Sequence, residues 1–190
     1  MIESEIELIK LAQQGNRRAF EQLIFKYDKH VLNIAYSFRN NSDDAKDIYQ
    51  EVFLRVFKGL KNFRFDSEFS TWLYRITTNI CITYKNRSKK EMFDSLDSEI
   101  NNGDEKYSDY MPSDSKTDEL LIKNETNKII ENALKLLPSQ QKMAFTMKYY
   151  NEYKIKEIAE IMNCNEGTIK RYLFNATHKL QKMLAPIMGR

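Results

Sequence analysis

Ile155-Lys156-Glu157-Ile158-Ala159-Glu160-Ile161-Met162-Asn163-Cys164-Asn165-Glu166-Gly167-Thr168-Ile169-Lys170-Arg171-Tyr172-Leu173 is the stretch on which the reading of this chain turns. Apolar residues recur at helical spacing on both sides of the polar turn Asn163-Cys164-Asn165. Small Ala159 stands where a second helix must cross closely, and Ile169, Leu173, Ala176 and Leu180 form one inner face on that helix. This is the layout of a helix-turn-helix, two crossed helices sharing one core. If the second helix enters a major groove, its exposed first turns meet base edges. Those positions hold Thr168, Lys170, Arg171, Phe174 and Asn175. Lys and Arg suit guanine acceptors, Asn suits adenine, and a Phe ring can touch a thymine methyl. His178, Lys179 and Lys182 fall further along, nearer phosphate. A helical bundle with a solvated basic face would show the same charges, so the spacing carries the reading rather than the charge.

Working outward, the other elements are also helical. Leu120 to Leu136 forms one helix, and Pro138 suits the first turn of the next. The last helix runs to about Leu184, with Pro186 just beyond it. Towards the N-terminus, Ile6, Ile9 and Leu11 suggest a short helix broken at Gly15-Asn16. Phe20, Leu23, Ile24, Tyr27, Val31, Ile34 and Phe38 then recur at steps of three and four. Asn40-Asn41-Ser42 ends that helix, and Ser42 can cap the next, where Asp43 and Asp44 suit the positive end. A loop from Lys61 to about Glu68 leads to a fourth helix, Phe69 to Arg87. No segment alternates with a period of two.

Between the two helical blocks the composition changes. Residues 94–118 carry eight acidic and two basic side chains, against net +4 before them and +5 after, within a chain of net charge +3. Apolar residues there are sparse and Asn-Asn-Gly and Pro-Ser-Asp interrupt the strip. The fold class expected is all-α: two small helical domains, an N-terminal bundle over 1–92 and a helix-turn-helix bundle over 119–190, joined by an acidic flexible linker over 93–118. Fully extended, such a linker spans roughly 80–90 Å, so the domains can sit far apart.

The composition also narrows function. No apolar run approaches the roughly 18 residues of a membrane span, and the acidic N-terminus lacks a signal-peptide pattern. Cytoplasmic localisation is expected. Cys81 and Cys164, with His30 and His178, offer no disulfide framework and no metal-ligand spacing. There is no Gly-rich phosphate loop and no nucleophile elbow, so no cofactor, no metal and no catalytic residue is expected.

Two stretches of the first block complete the pattern. Asp44-Ala45-Lys46-Asp47-Ile48-Tyr49-Gln50-Glu51-Val52-Phe53-Leu54 resembles the core-polymerase-binding helix of sigma factors, and Phe69-Ser70-Thr71-Trp72-Leu73-Tyr74-Arg75-Ile76-Thr77-Thr78-Asn79 resembles their −10-recognition helix. The helix-turn-helix is similar to their −35-reading domain. All three occur in the family's order over about residues 5–92 and 119–185, and the absence of a further central domain resembles the extracytoplasmic-function group.

That resemblance implies an alternative sigma factor, not itself an enzyme, which directs RNA polymerase to promoters. Asp47, Gln50, Glu51 and Leu54 share one helical face, which on its own reads equally as a solvated stripe. The resemblance implies that it grips the clamp of the polymerase's largest subunit, with Asp44 at its edge, and that the second domain meets the flap. It implies that the loop Asn62 to Glu68 captures a flipped non-template base. Phe63, Arg64, Phe65, Asp66 and Ser67 offer the aromatic walls and polar groups which such a pocket requires. Asn79 matches a family position near the same DNA, and Arg75 and Arg87 supply cations for phosphate. Trp72 reads better as a core anchor. The linker is either a plain tether or, as the family implies, a nucleic-acid mimic in the polymerase. The expected partners are core polymerase, promoter DNA and an anti-sigma factor, with no membrane insertion. Two features depart from the family: Tyr172, Asn175 and Thr177 stand where basic residues are common, and Thr83 where an acidic one is usual. A free-standing helix-turn-helix regulator is the competing reading. It would bind duplex DNA alone, whereas a sigma factor needs core polymerase.

Overall fold

The computed structural model describes the backbone of residues 4–94 and 129–188, and the side chains of residues 4–84 and 129–185. The first block is α1 (Glu5–Gln13), α2 (Arg17–Arg39), α3 (Ser42–Gly59), a 3₁₀ turn (Leu60–Asn62) and α4 (Phe69–Asp94). The second is α5, of which residues 129–135 are described, α6 (Ser139–Tyr149), α7 (Ile155–Ile161) and α8 (Glu166–Met188). The described residues contain no strand. Most of the expected linker, from residue 95 onward, and the side chain of Arg87 lie outside the described residues.

Local chemistry sets the helix ends. Ser4 and Glu7 form a capping box, each side chain taking the other's backbone N–H, at 3.3 and 2.8 Å. Gly15 turns the chain at φ +91°, a conformation that suits a residue without Cβ, and the Asn16 side chain caps α2. Asn40 closes α2 in the left-handed region. The α3 cap is Asn41 rather than Ser42. Its Oδ1 accepts from the backbone N–H groups of Asp43 and Asp44, both at 2.9 Å, while Ser42 already sits inside the helix. Both terminal helices outrun their sequence-based ends: α4 continues past Arg87 to Asp94, and α8 runs through Pro186 to Met188. Pro186 loses only one backbone hydrogen bond there, in a last turn whose neighbouring carbonyls end free in any case.

The core follows the apolar spacing. Leu23, Val31, Ile34 and Phe38 of α2, Ile48, Val52 and Val56 of α3, and Leu73 of α4 are almost completely buried. Each such side chain contributes about 1.5–3 kcal/mol relative to exposure. Trp72 is the core anchor its sequence context suggests. It packs on Phe63 and Phe69, and a Cβ added at Gly59 would stand 3.3 Å from its ring.

The two blocks do not stand apart. Helix α4 packs on α6 and α7, and α2 packs on α6. Met143, Met147, Ile158 and Ile169 join one continuous core with Phe38 and Leu73. The Lys142 ammonium lies 5.0 Å from the centroid of the Phe38 ring, with the residue only 5% exposed. Tyr74 meets Tyr153 edge-on at 5.9 Å. Arg75 Nη2 donates to the Glu160 carbonyl oxygen at 2.9 Å. Sequence periodicity marks Met143 and Met147 as buried but does not say against which partner, which is why two distant domains were expected.

The cap assignment generates a stability test. Asn41→Ala should cost about 1 kcal/mol in urea unfolding, whereas Ser42→Ala should change stability by less than about 0.5 kcal/mol. The reverse order would restore Ser42 as the cap.

Candidate nucleic-acid interface

Three exposed surfaces gather the candidate residues. On α3, Asp47, Gln50 and Leu54 are exposed, and Glu51 is half-exposed with its carboxylate accepting from Arg55 Nε at 2.6 Å. Leu54 leaves 48% of its surface in solvent, unusual for an isolated leucine on a helix whose opposite side is fully packed. Asp44 behaves differently from the rest. Arg39 grips it through Nε at 2.8 Å and through Nη2. The Tyr84 hydroxyl reaches both Asp44 Oδ1 at 3.5 Å and Asp47 Oδ2 at 3.3 Å, and the Arg39 guanidinium lies 5.2 Å from the centroid of the Tyr84 ring. Burial and the two neighbouring carboxylates push the Tyr84 hydroxyl above its ordinary range. Asp44 is thus tied into the fold, and Arg39 and Tyr84 hold the N-terminal end of the stripe. Sequence reasoning missed both, since one lies on α2 and the other on α4.

The second surface is the loop between α3 and α4. Phe63 is only 7% exposed and packs against Phe65, Trp72 and Phe69 at centroid distances of 5.0, 5.1 and 5.8 Å. It is therefore the floor of the loop and not a free pocket wall. Phe65 is the outward ring, 42% exposed, carried at φ +61°. That is an uncommon backbone conformation for an aromatic residue, and it persists where surrounding packing fixes it. Arg64 and Asp66 are exposed beside it, and Ser67 is half-buried. The Gln13 amide donates to the carbonyls of Leu60 and Phe63 at 3.0 and 2.9 Å, pinning the loop's first half from α1. No local sequence signal pointed to Gln13, which lies some 50 residues away. On α4, Asn79 is exposed, but Arg75 turns to the second block. The structure therefore brings Asn79 and the loop to an open surface and leaves Arg75 engaged elsewhere.

The third surface is the helix-turn-helix. Asn163 turns the chain at φ +52°, and the Cys164 N–H returns to the Ala159 carbonyl at 3.0 Å. Asn165 caps α8: its Oδ1 accepts from the Thr168 N–H at 2.7 Å and from the Thr168 hydroxyl at 3.0 Å. Ile169, Leu173, Ala176 and Leu180 are buried, which leaves Lys170, Arg171, Phe174 and Asn175 on the opposite, exposed side, with Thr168 half-buried at its start. Phe174 is 69% exposed and stacks on His178 with the rings 2° from parallel. Lys170 lies 3.9 Å from Glu166, an exposed pair of little energetic weight. Lys179, expected near phosphate, instead donates to the Leu136 carbonyl at 3.0 Å and ties α8 to the end of α5.

The close crossing at Ala159 can be tested. Ala159→Leu should destabilise the chain by about 1–3 kcal/mol through overpacking. Phe174→Ala should stay within about 0.5 kcal/mol, since its ring touches no core. Chemical denaturation of both variants decides the matter; a neutral Ala159→Leu would mean that the helices cross elsewhere.

Comparison with known proteins places these surfaces in a context. The model of the family described as Sigma-70 region 2 matches residues 23–91, and that described as Sigma-70, region 4 matches residues 127–180. The chain is 30% identical to the RNA polymerase sigma-H factor of Pseudomonas aeruginosa over 189 residues, covering 98% of this chain and 96% of that one. It is 29% identical to the ECF RNA polymerase sigma factor SigW of Bacillus subtilis, covering 93% and 94%. Among solved structures, the sigma factor RpoE of Bartonella quintana, crystallised with the anti-sigma factor NepR, superposes with a TM-score of 0.62 at 22% identity, covering 87% of this chain and 96% of that one. That last likeness is one of fold.

Proposed function

Since the chain belongs to the sigma-70 family, as an alternative sigma factor of the extracytoplasmic-function group that directs transcription initiation, we propose that its three exposed surfaces divide that work between polymerase, melted DNA and duplex DNA. In this reading residues 1–92 serve as the polymerase-binding and −10-binding domain, residues 93–118 as the linker, and residues 119–190 as the −35-binding domain. Asp47, Gln50, Glu51 and Leu54 dock on the clamp of the polymerase's largest subunit. Their mixture of carboxylates and one exposed leucine suits a basic surface with an apolar centre, where charge sets register and on-rate more than affinity. Asp44 supports that stripe through Arg39 and Tyr84.

The loop captures an extruded −10 base. Phe65 offers the stacking face, a contact worth about 1–3 kcal/mol per base, while Asp66 and Ser67 offer polar groups for the base edge. Phe63 sets the loop's shape from below. Arg64, Asn79 and Arg87 stand for the adjoining strand, with Arg75 available once it leaves Glu160. In the second domain Thr168, Lys170, Arg171, Phe174 and Asn175 face the −35 major groove. The reading of the chain as a regulator without catalytic chemistry of its own, at work in the cytoplasm, follows from this division. An anti-sigma partner is part of it, as RpoE of Bartonella quintana has one.

The single observation that carries the reading is the outward row Lys170, Arg171, Phe174 and Asn175 above the buried row Ile169, Leu173 and Ala176, the arrangement a groove-reading helix requires. Lys170→Ala and Arg171→Ala should each cost about 1–3 kcal/mol at the matched base in promoter binding by the polymerase complex. Equal losses on all sequences would make them phosphate contacts. Glu51→Lys should weaken binding to core polymerase with helicity retained; unchanged binding would remove the clamp assignment. The competing reading, a free-standing regulator, requires tight duplex binding by the chain without polymerase.

A further inference from the structure

Helix α4 has three sides. Leu73, Ile80 and Phe69 face the core of the first block. Asn79 and Thr83 face solvent. Between them runs a third side, Tyr74, Thr78 and Cys81 at steps of four and three, which is 7%, 1% and 0% exposed. Tyr153 covers Tyr74, and the Cys81 thiol feels the charge of Lys142, so this side is closed by the second block. Arg75, at its border, is drawn to the Glu160 carbonyl, and its Nε is buried with no hydrogen-bond partner among the described residues.

A cleft of about 1030 Å³ separates the base-reading loop from α7 and the turn after it. Glu157, Glu160 and Glu166 line its far side, Asp66 and Glu68 its near side; five acidic side chains in all stand against three basic ones. A nucleic-acid strand running from the loop towards Asn79 would meet this wall. Its phosphates would be repelled by it, and the guanidinium suited to them is already occupied.

The seam is built to part. The Thr77 and Thr78 hydroxyls bond to carbonyls of their own helix, Leu73 at 2.9 Å and Arg75 at 3.1 Å. Separation of the blocks therefore exposes no hydroxyl that had relied on the other block, and it returns Arg75 Nε to water.

From this geometry we infer that the free chain holds itself in a closed form, in which the second block competes with melted −10 DNA for helix α4 and is released when polymerase binds the two blocks separately. The inference rests on the reading of the loop and Asn79 as the −10 surface. Closure is an equilibrium between two packings, so a variant that weakens the seam raises the fraction competent for DNA.

Cys81 is a natural reporter, since burial pushes its thiol up to about 12 and shields it from reagents. In full-length chain with Cys164→Ser, Lys142→Glu sets a carboxylate against the Phe38 ring face in place of an ammonium. The thiol should then react with a disulfide reagent about tenfold faster, and a single-stranded oligonucleotide of randomised sequence should bind about tenfold tighter, with helicity unchanged. Adding core polymerase to the chain with Lys142 intact should speed the thiol reaction likewise. Tyr153→Ala is the second variant, for use should Lys142→Glu fail to fold. Thiol rates that stay slow in both variants and in the polymerase complex overturn the closure. So does a fast thiol with unchanged oligonucleotide affinity. Asn79→Ala separates the two levels. If it leaves promoter opening by the polymerase complex intact, the −10 reading falls and the competition falls with it. If it impairs opening while Lys142→Glu leaves oligonucleotide affinity unchanged, the closure alone is wrong.

Discussion

The burial of α4 on two sides at once is the constraint on which the remainder of the molecule depends. Leu73 seats the helix in the core of the first block, and Tyr74, one residue on, seats it against the second. A helix turns 100° per residue, so both contacts are compatible with one open strip and no more. Asn79 lies on that strip. The same helix thus anchors its own domain, offers a narrow polar face and receives the neighbouring domain. Changes along it carry different consequences at adjacent positions.

Polar side chains at element junctions give the surfaces their shape. Arg39 and Tyr84 reach from α2 and α4 to hold Asp44 and orient Asp47 on α3. Asn165 fixes the entry of α8 by accepting twice from Thr168. Lys179 closes the end of α5 by donating to Leu136. Each such bond adds on the order of 1 kcal/mol to stability. Its larger effect is geometric, because each joins two helices whose relative position decides which side chains reach a partner.

The helices, their apolar faces and the outward rows on α3 and α8 were legible in the sequence, because a period of 3.6 sorts buried from exposed without reference to any partner. Lys170, Arg171, Phe174 and Asn175 fall outward for that reason alone. Long-range contacts were not legible. Gln13 meets the loop across 50 positions, and nothing in its neighbourhood announces a bond to Phe63. Phe63 and Phe65 show the limit from the other side. Two residues apart in an irregular loop, they have no period to sort them, and only packing on Trp72 and Phe69 sends one inward. The seam between the blocks was hidden because an apolar α6 face looks the same whatever covers it. Arg75, read as a phosphate contact, is instead spoken for by a backbone carbonyl of α7.

The paired bonds from Gln13 to the chain around Phe63 have an implication for how this protein is dissected. The stretch matched as region 2 starts at residue 23, well after α1. A fragment trimmed to that boundary would keep every side chain of the loop and lose the strut that braces it. Its oligonucleotide contacts would then report a slackened aperture, and an affinity measured on the fragment would understate that of the intact chain.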